Sequence, residues 1–140
     1  YYFKMFLSDV RLIQATGQSE IFEEMIRVSP EDVVIGISFP RYSSRAVKTL
    51  QYANSKNVKV VAITDSKTSP IAAFASYLLL AHSDMASVVD SLAAPLSVIN
   101  ALIVAVSLKC LEERREILTE LESLWNSQQV YLPTDGATET

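Results

Sequence analysis

Asp32-Val33-Val34-Ile35-Gly36-Ile37-Ser38-Phe39-Pro40-Arg41-Tyr42-Ser43-Ser44-Arg45 is the stretch on which the fold turns. Residues 33–38 (VVIGIS) are apolar almost without interruption, as a strand covered on both faces must be. Ser29-Pro30-Glu31-Asp32 ends whatever helix precedes it. After the strand, a polar loop leads through Ser43-Ser44 into a helix that reaches about Lys56. Ala46, Val47, Leu50 and Ala53 form its inward stripe, with Arg45, Lys48 and Gln51 outward and Asn57 as the stop. Residues 58–64 (VKVVAIT) read as the next strand. Strand, helix and strand in this order make a βαβ unit, and right-handed crossovers place helices on both faces of its sheet. The expected class is therefore α/β: a three-layer sandwich with a mostly parallel sheet flanked by helices.

The same alternation extends in both directions. Upstream, residues 10–15 (VRLIQA) read as a strand closed by Thr16-Gly17. Ser19 can then cap a helix in which Ile21, Phe22, Met25 and Ile26 share a face and Glu20 lies in the first turn. Downstream, Asp65-Ser66-Lys67-Thr68-Ser69-Pro70 is a polar loop. Ser69 suits the cap, and Pro70 the first position, of a short helix through Ala75. Parallel strands are expected near 10–15, 33–38, 58–64 and 76–81. From 87 to 125 the pattern is helical, with a break near Lys109-Cys110, and residues 126–140 read as a loose tail holding Pro133 and Gly136.

The bulk numbers agree with one globular domain. The chain has 140 residues, 49% hydrophobic and 20% charged, with a formal net charge of -4. An acidic balance argues against this segment gripping a phosphate backbone by itself. Cys110 is the only cysteine, so no internal disulfide is available, in keeping with a reducing cytoplasm. The longest apolar run, 93–108, is interrupted by Pro95, Ser97, Asn100 and Ser107 and falls short of the roughly 20 residues of a membrane span. A soluble, cytoplasmic protein without a membrane partner is expected. The first residue is not Met, and Tyr1-Tyr2-Phe3-Lys4-Met5-Phe6-Leu7 reads as the interior of an apolar helix, so further residues are expected upstream.

In open parallel sheets, ligands sit outside the carboxyl ends of the strands. Loops 38–44 and 65–69 fall at two such ends. In the first, Ser38 closes a strand while Ser43 and Ser44 open a helix, whose free amides and dipole attract an anion. Serine hydroxyls can donate to that anion without adding a like charge, and Arg41 on the loop can add a positive one. The spacing alone leaves open both a phosphate cradle and a plain helix cap; no GxxxxGK[ST] loop is present. In the second loop, Ser66 and Ser69 can reach sugar hydroxyls or form an ordinary turn and cap. Other residues carry less. His82, the only histidine, follows a strand and could act as a base, although a lone surface histidine is more often inert. Asp84 and Asp90 with His82 lack metal-ligand spacing. Cys110 is expected to be buried and unreactive, and Glu112-Glu113-Arg114-Arg115-Glu116 to be a solvated helix face.

The opening stretch resembles the second motif of sugar isomerase (SIS) domains in transcriptional regulators of the RpiR/MurR type. The wider superfamily carries a Ser-x-Ser-Gly-x-Thr loop there, which holds a sugar phosphate. Ser38 matches its first serine and Ser43 its threonine, whereas Pro40 and Arg41 stand in place of its second serine and its glycine. The resemblance continues through Ala62-Ile63-Thr64-Asp65-Ser66, Ser69-Pro70-Ile71-Ala72, Val89-Asp90-Ser91-Leu92-Ala93-Ala94-Pro95-Leu96 and Asn100-Ala101-Leu102. It implies a flavodoxin- or Rossmann-like SIS domain over residues 1–125. The family's first strand, and the helix-turn-helix domain through which DNA would be bound, have no counterpart in the chain. That strand would lie between those expected at 10–15 and 33–38.

What the resemblance implies is an effector-sensing module that binds a sugar phosphate through Ser38, Ser43, Ser44, Arg41, Ser66 and Ser69, with no cofactor, no metal and no catalytic residue. A homodimer or higher homo-oligomer is expected, with part of the apolar helix of 91–109 at the interface. The alternative is an aldose–ketose phosphate isomerase of the same superfamily. That chemistry calls for a general base, usually a glutamate from a helix near the partner subunit, and residues 87–111 contain no Glu. A purely structural dimerisation module is a third class, favoured only if Ser38 and Ser43 point away from any pocket.

Overall fold

Gly36 sits where a strand passes directly beneath a helix, and the architecture can be built from that crossing. The computed structural model describes residues 1–13, 17–82 and 91–128. Among them the elements run α1 (Tyr2–Phe6), α2 (Gln18–Met25), β1 (Val33–Ile37), α3 (Ser44–Ser55), β2 (Lys59–Thr64), a 3-10 turn (Ala72–Phe74), β3 (Tyr77–Leu80) and α4 (Ala93–Ser127). The three strands form one parallel sheet in the order β1-β2-β3. In its register Gly36 lies beside Ala62, and Ala62 beside Leu78. Strand residues alternate between faces, so Val34, Gly36, Val60, Ala62, Thr64 and Leu78 share the face on which α3 lies. The structure has the expected class, an α/β sandwich with a parallel sheet flanked by helices.

The core follows from that face. Leu50 and Ala53 of α3, Ile21 and Met25 of α2, Val58, Val60 and Ala62 around β2, and Ile71 are buried together. Removing side chains of the size of Leu50 and Met25 from water contributes about 1.5–3 kcal/mol each. Phe22 meets the Tyr52 ring edge-on at 5.4 Å, locking α2 to α3. The helix ends are set locally. The Ala46 amide donates to Ser43 Oγ at the start of α3, and Asn57 leaves it with φ 59, a left-handed conformation that Asn tolerates well.

The chain forms two compact units. One runs Arg11–Leu102, and the other joins Tyr1–Val10 to the chain from Ile103 onward. The first unit holds the sheet, α2 and α3, and hence both candidate loops.

Several expectations need correction. Residues 10–13 form no strand, and 14–16 lie outside the described residues. A β-branched segment becomes a strand only where a neighbour takes its backbone hydrogen bonds, and among the described residues β1 is paired only to β2. Ser19 does not cap α2: Gly17 precedes the helix, and its amide donates to Glu20 Oε2 at 3.2 Å. Ile26 is exposed rather than on the buried face. No cap-initiated helix starts at Ser69-Pro70; the segment makes only the 3-10 turn, with Ile71 in the cap position. The helical stretch is not broken near Lys109-Cys110, for α4 is continuous to Ser127, which also draws residues 126–127 out of the expected tail. Residues 129–140 lie outside the described residues. Cys110 is half-buried, not buried.

Candidate functional site

The site is set by how β1 and β2 end side by side. Ile37 is level with Ile63 in the register, and the Ser38 amide continues the ladder by donating to the Ile63 carbonyl at 3.1 Å. The next residues of both strands therefore leave the sheet at the same edge. Thr64, the last residue of β2, is fully buried, and its carbonyl accepts the Ala81 amide from the end of β3. Loops 38–43 and 65–71 thus rise together from the carboxyl edge, where parallel sheets place their ligands.

Ser38 is 7% exposed, and its Oγ accepts the Ser43 amide at 3.2 Å. This contact folds the loop back on itself and presents the first turn of α3 over the strand end. Ser43 Oγ in turn accepts the Ala46 amide at 3.4 Å, so Ser43 is the helix cap. The cap and ligand readings of Ser43 are compatible. Each hydroxyl accepts from the backbone, which leaves its own proton for a further acceptor. Ser44, in the first turn, is exposed, and its amide makes no hydrogen bond among the described residues. Arg41 is exposed on the loop with φ 69. It is the position at which the loop it resembles has glycine, the residue that adopts a left-handed backbone most readily, and here an arginine adopts it.

The second loop arranges its serines differently. Ser66 Oγ accepts the Thr68 amide at 3.1 Å and shares a hydrogen bond with the Thr68 hydroxyl at 2.8 Å, closing a small local turn. Ser69 is 4% exposed, and its Oγ has no hydrogen-bond partner among the described residues. A buried hydroxyl left unpaired is costly, by about 1–3 kcal/mol.

Two residues that sequence reasoning left out of the site tie the loops together. Tyr42 Oη donates to Asp65 Oδ1 at 2.8 Å, and Thr64 Oγ1 donates to the same oxygen at 3.1 Å. The Tyr42 phenol is held above its ordinary pKa, first by this hydrogen bond, then by burial and by the Asp65 charge. The signal was available in principle: an aromatic donor and a carboxylate occupy loops at the ends of adjacent parallel strands. His82 is exposed just beyond β3, and Asp84 and Asp90 lie outside the described residues. Among the described residues no three His, Cys, Asp or Glu side chains gather as metal ligands.

Chemically, this edge offers hydroxyl and amide donors at a helix start, with an acceptor carboxylate fixed beside them. That is a set suited to an anion carrying a polar body. No curated protein matches the chain. Among solved structures, it is similar to the sugar isomerase domain of an RpiR transcription factor from Sphaerobacter thermophilus, at 26% identity with a TM-score of 0.70, over 80% of this chain and 62% of that one. It also shares its fold with the NanR protein of Vibrio vulnificus, solved in complex with ManNAc-6P, at 14% identity with a TM-score of 0.69, over 91% of this chain and 49% of that one. The chain therefore spans less than two thirds of the length of either structure. Residues 3–105 match the SIS domain family. The chain belongs to the SIS domain family.

Proposed function

We propose that this chain is the sugar-phosphate-sensing part of a bacterial transcriptional regulator, binding its effector without turnover. The observation that carries the reading is Ser38, a buried hydroxyl at a strand end that accepts the Ser43 amide and so sets the α3 entry over the sheet edge. In this reading Ser38, Ser43 and Ser44 hold the phosphate, Arg41 adds positive charge, and Ser66 and Ser69 face the sugar. The Ser69 hydroxyl, buried and without a partner among the described residues, gains one on ligand binding. The similarity to the sugar isomerase domain of an RpiR transcription factor supports a sensor over an isomerase, and a protein of the same fold was solved with ManNAc-6P. DNA contact falls to a helix-turn-helix domain outside residues 1–125, and the protein works in the cytoplasm.

The test is calorimetric titration of the protein with phosphorylated sugars, N-acetylmannosamine 6-phosphate included, and with their unphosphorylated parents. A bound phosphosugar is expected, with the plain sugar far weaker. Ser38→Ala removes one charge-assisted hydrogen bond, about 1.5–3 kcal/mol, and should lower affinity roughly ten- to hundredfold. Equal binding of the plain sugar, or wild-type affinity in the variant, overturns the cradle. Conversion of an aldose phosphate to its ketose during incubation would turn the assignment to the isomerase alternative.

A further inference from the structure

Tyr42 and Thr64 direct their hydroxyl protons at one oxygen of Asp65, and the other oxygen makes no hydrogen bond among the described residues. A carboxylate clamped in this way is a directed acceptor. Its Oδ1 is occupied from two sides, its carbon–carbon torsion is fixed, and Oδ2 keeps its lone pairs in a half-buried position at the sheet edge. It is also a negative charge on the loop next to donors arranged for an anion. These two properties pull in opposite directions for different ligands. A neutral hydroxyl gains a charge-assisted hydrogen bond from Oδ2, whereas a second anionic group meets a like charge that cannot swing away.

Resting on the phosphosugar reading above, we propose that Asp65 is a specificity-determining residue of this site, held by Tyr42 and Thr64. It accepts a hydroxyl of a singly phosphorylated neutral sugar and turns away sugar acids and bisphosphates. Tyr42 is the positioning residue. Without its hydrogen bond Asp65 keeps its charge but loses its fixed direction, so hydroxyl recognition suffers more than anion rejection.

The experiment titrates the wild type, Ser38→Ala, Asp65→Asn and Tyr42→Phe with four probes: inorganic phosphate, glucose 6-phosphate, N-acetylmannosamine 6-phosphate and 6-phosphogluconate. Thermal melts confirm that each variant is folded. In the wild type at least one neutral sugar phosphate should outbind inorganic phosphate, and 6-phosphogluconate should bind about tenfold or more below glucose 6-phosphate. Asparagine at 65 keeps an oxygen for Tyr42 but puts an N–H₂ donor in place of the charged acceptor. Asp65→Asn should therefore leave phosphate binding unchanged or tighter, lower the sugar-to-phosphate affinity ratio by about ten- to hundredfold, and shrink the penalty on 6-phosphogluconate. Tyr42→Phe should lower the ratio severalfold while the penalty on the acid persists. If binding is sensitive to Ser38→Ala but both the ratio and the acid penalty survive Asp65→Asn, the Asp65 inference is overturned and the cradle stands. Asp65 likewise loses its role, with the cradle intact, if no neutral sugar phosphate outbinds inorganic phosphate in the wild type. If no probe binds, or if Ser38→Ala changes nothing, the phosphosugar reading itself falls and takes this inference with it.

Discussion

Arg41 shows how a single backbone angle can be separated from the charge that sits on it. At φ 69 the Cβ of a non-glycine residue costs about 1–2 kcal/mol, while glycine placed there offsets about 0.4–1 kcal/mol of that through the unfolded chain's added freedom. Arg41→Gly should therefore be as stable as Arg41→Ala or more stable by up to about 1.6 kcal/mol, read from the denaturant midpoint, since both lose the side chain and only alanine keeps the Cβ, while phosphate binding weakens in both because the guanidinium is gone. An Arg41→Gly protein less stable than Arg41→Ala would mean that the backbone angle stores no strain. At this scale the sequence was partly legible. Ser38 and Ser43 could be singled out because a strand end and a helix start announce themselves in one string, and the cap reading left open for Ser43 is the one its hydrogen bond to the Ala46 amide displays, whereas the left-handed turn at Arg41 was not foreseen. Tyr42 and Asp65 were not singled out, because their partnership spans two loops and depends on the parallel register of β1 and β2, which no local pattern displays. The second loop was read too regularly. Ser69-Pro70 has the chemistry of a helix start, yet the chain there makes a single 3-10 turn and buries the serine hydroxyl instead.

At the scale of elements, the contact of β1 with α3 is the tightest constraint on the site. A Cβ built on Gly36 would lie 2.5 Å from Leu50 Cδ1 and 2.7 Å from Cδ2, closer than packed atoms approach. Leu50 is itself buried in the core, so it has little room to yield. Gly36→Ala should destabilise the protein by about 1–3 kcal/mol, the usual penalty of overpacking, with the chemical-denaturation slope unchanged. The double variant Gly36→Ala with Leu50→Ala should be less destabilised than the sum of its parts, since the added methyl then fills part of the space vacated. An additive pair would place the strain elsewhere. Because Ser38 is two residues beyond Gly36 on the same strand, the single variant should also weaken phosphosugar binding. Elements with a strong internal period were legible: β1, α3 and β2 appear within a residue or two of expectation, because apolar runs and a 3.6-residue stripe are local signals. The segment at 10–13 was not, since its apolar and β-branched residues describe what a strand would need without supplying the neighbour that makes one. Nor was the continuity of α4: Lys109 and Cys110 interrupt the apolar stripe, but a helix continues through a change of face chemistry if nothing breaks its backbone.

At the scale of the whole molecule, α4 raises the question of what its surface is for. It runs 35 residues, and Leu96, Val104 and Leu108 on it are 54%, 55% and 63% exposed. These three lie on one ridge of i, i+4 neighbours with Asn100 among them, an apolar stripe open to solvent. The 18-residue window Ala93–Cys110 has a mean hydropathy of 1.8 and is 6% buried, and by length and composition alone it could cross a membrane. One such helix is weak evidence for a span. A bilayer would also have to accept Ser97, Asn100 and Ser107 in its hydrocarbon. A second copy of the chain accounts for the stripe more simply, because it buries the leucines while leaving the polar residues at a partly wet rim. We therefore expect a homodimer in which α4 residues of the 91–109 segment meet their counterparts. A standard interface removes about 800 Å² per partner, enough to hold at tens of micromolar. Light scattering should return about twice the 15.5 kDa chain mass. Val104→Glu with Leu108→Glu should shift the protein to monomer by setting like charges on the ridge, with far-ultraviolet circular dichroism unchanged because both positions are exposed. A wild-type protein that scatters as a monomer at that concentration, or a charged double variant that stays dimeric, removes α4 from the interface.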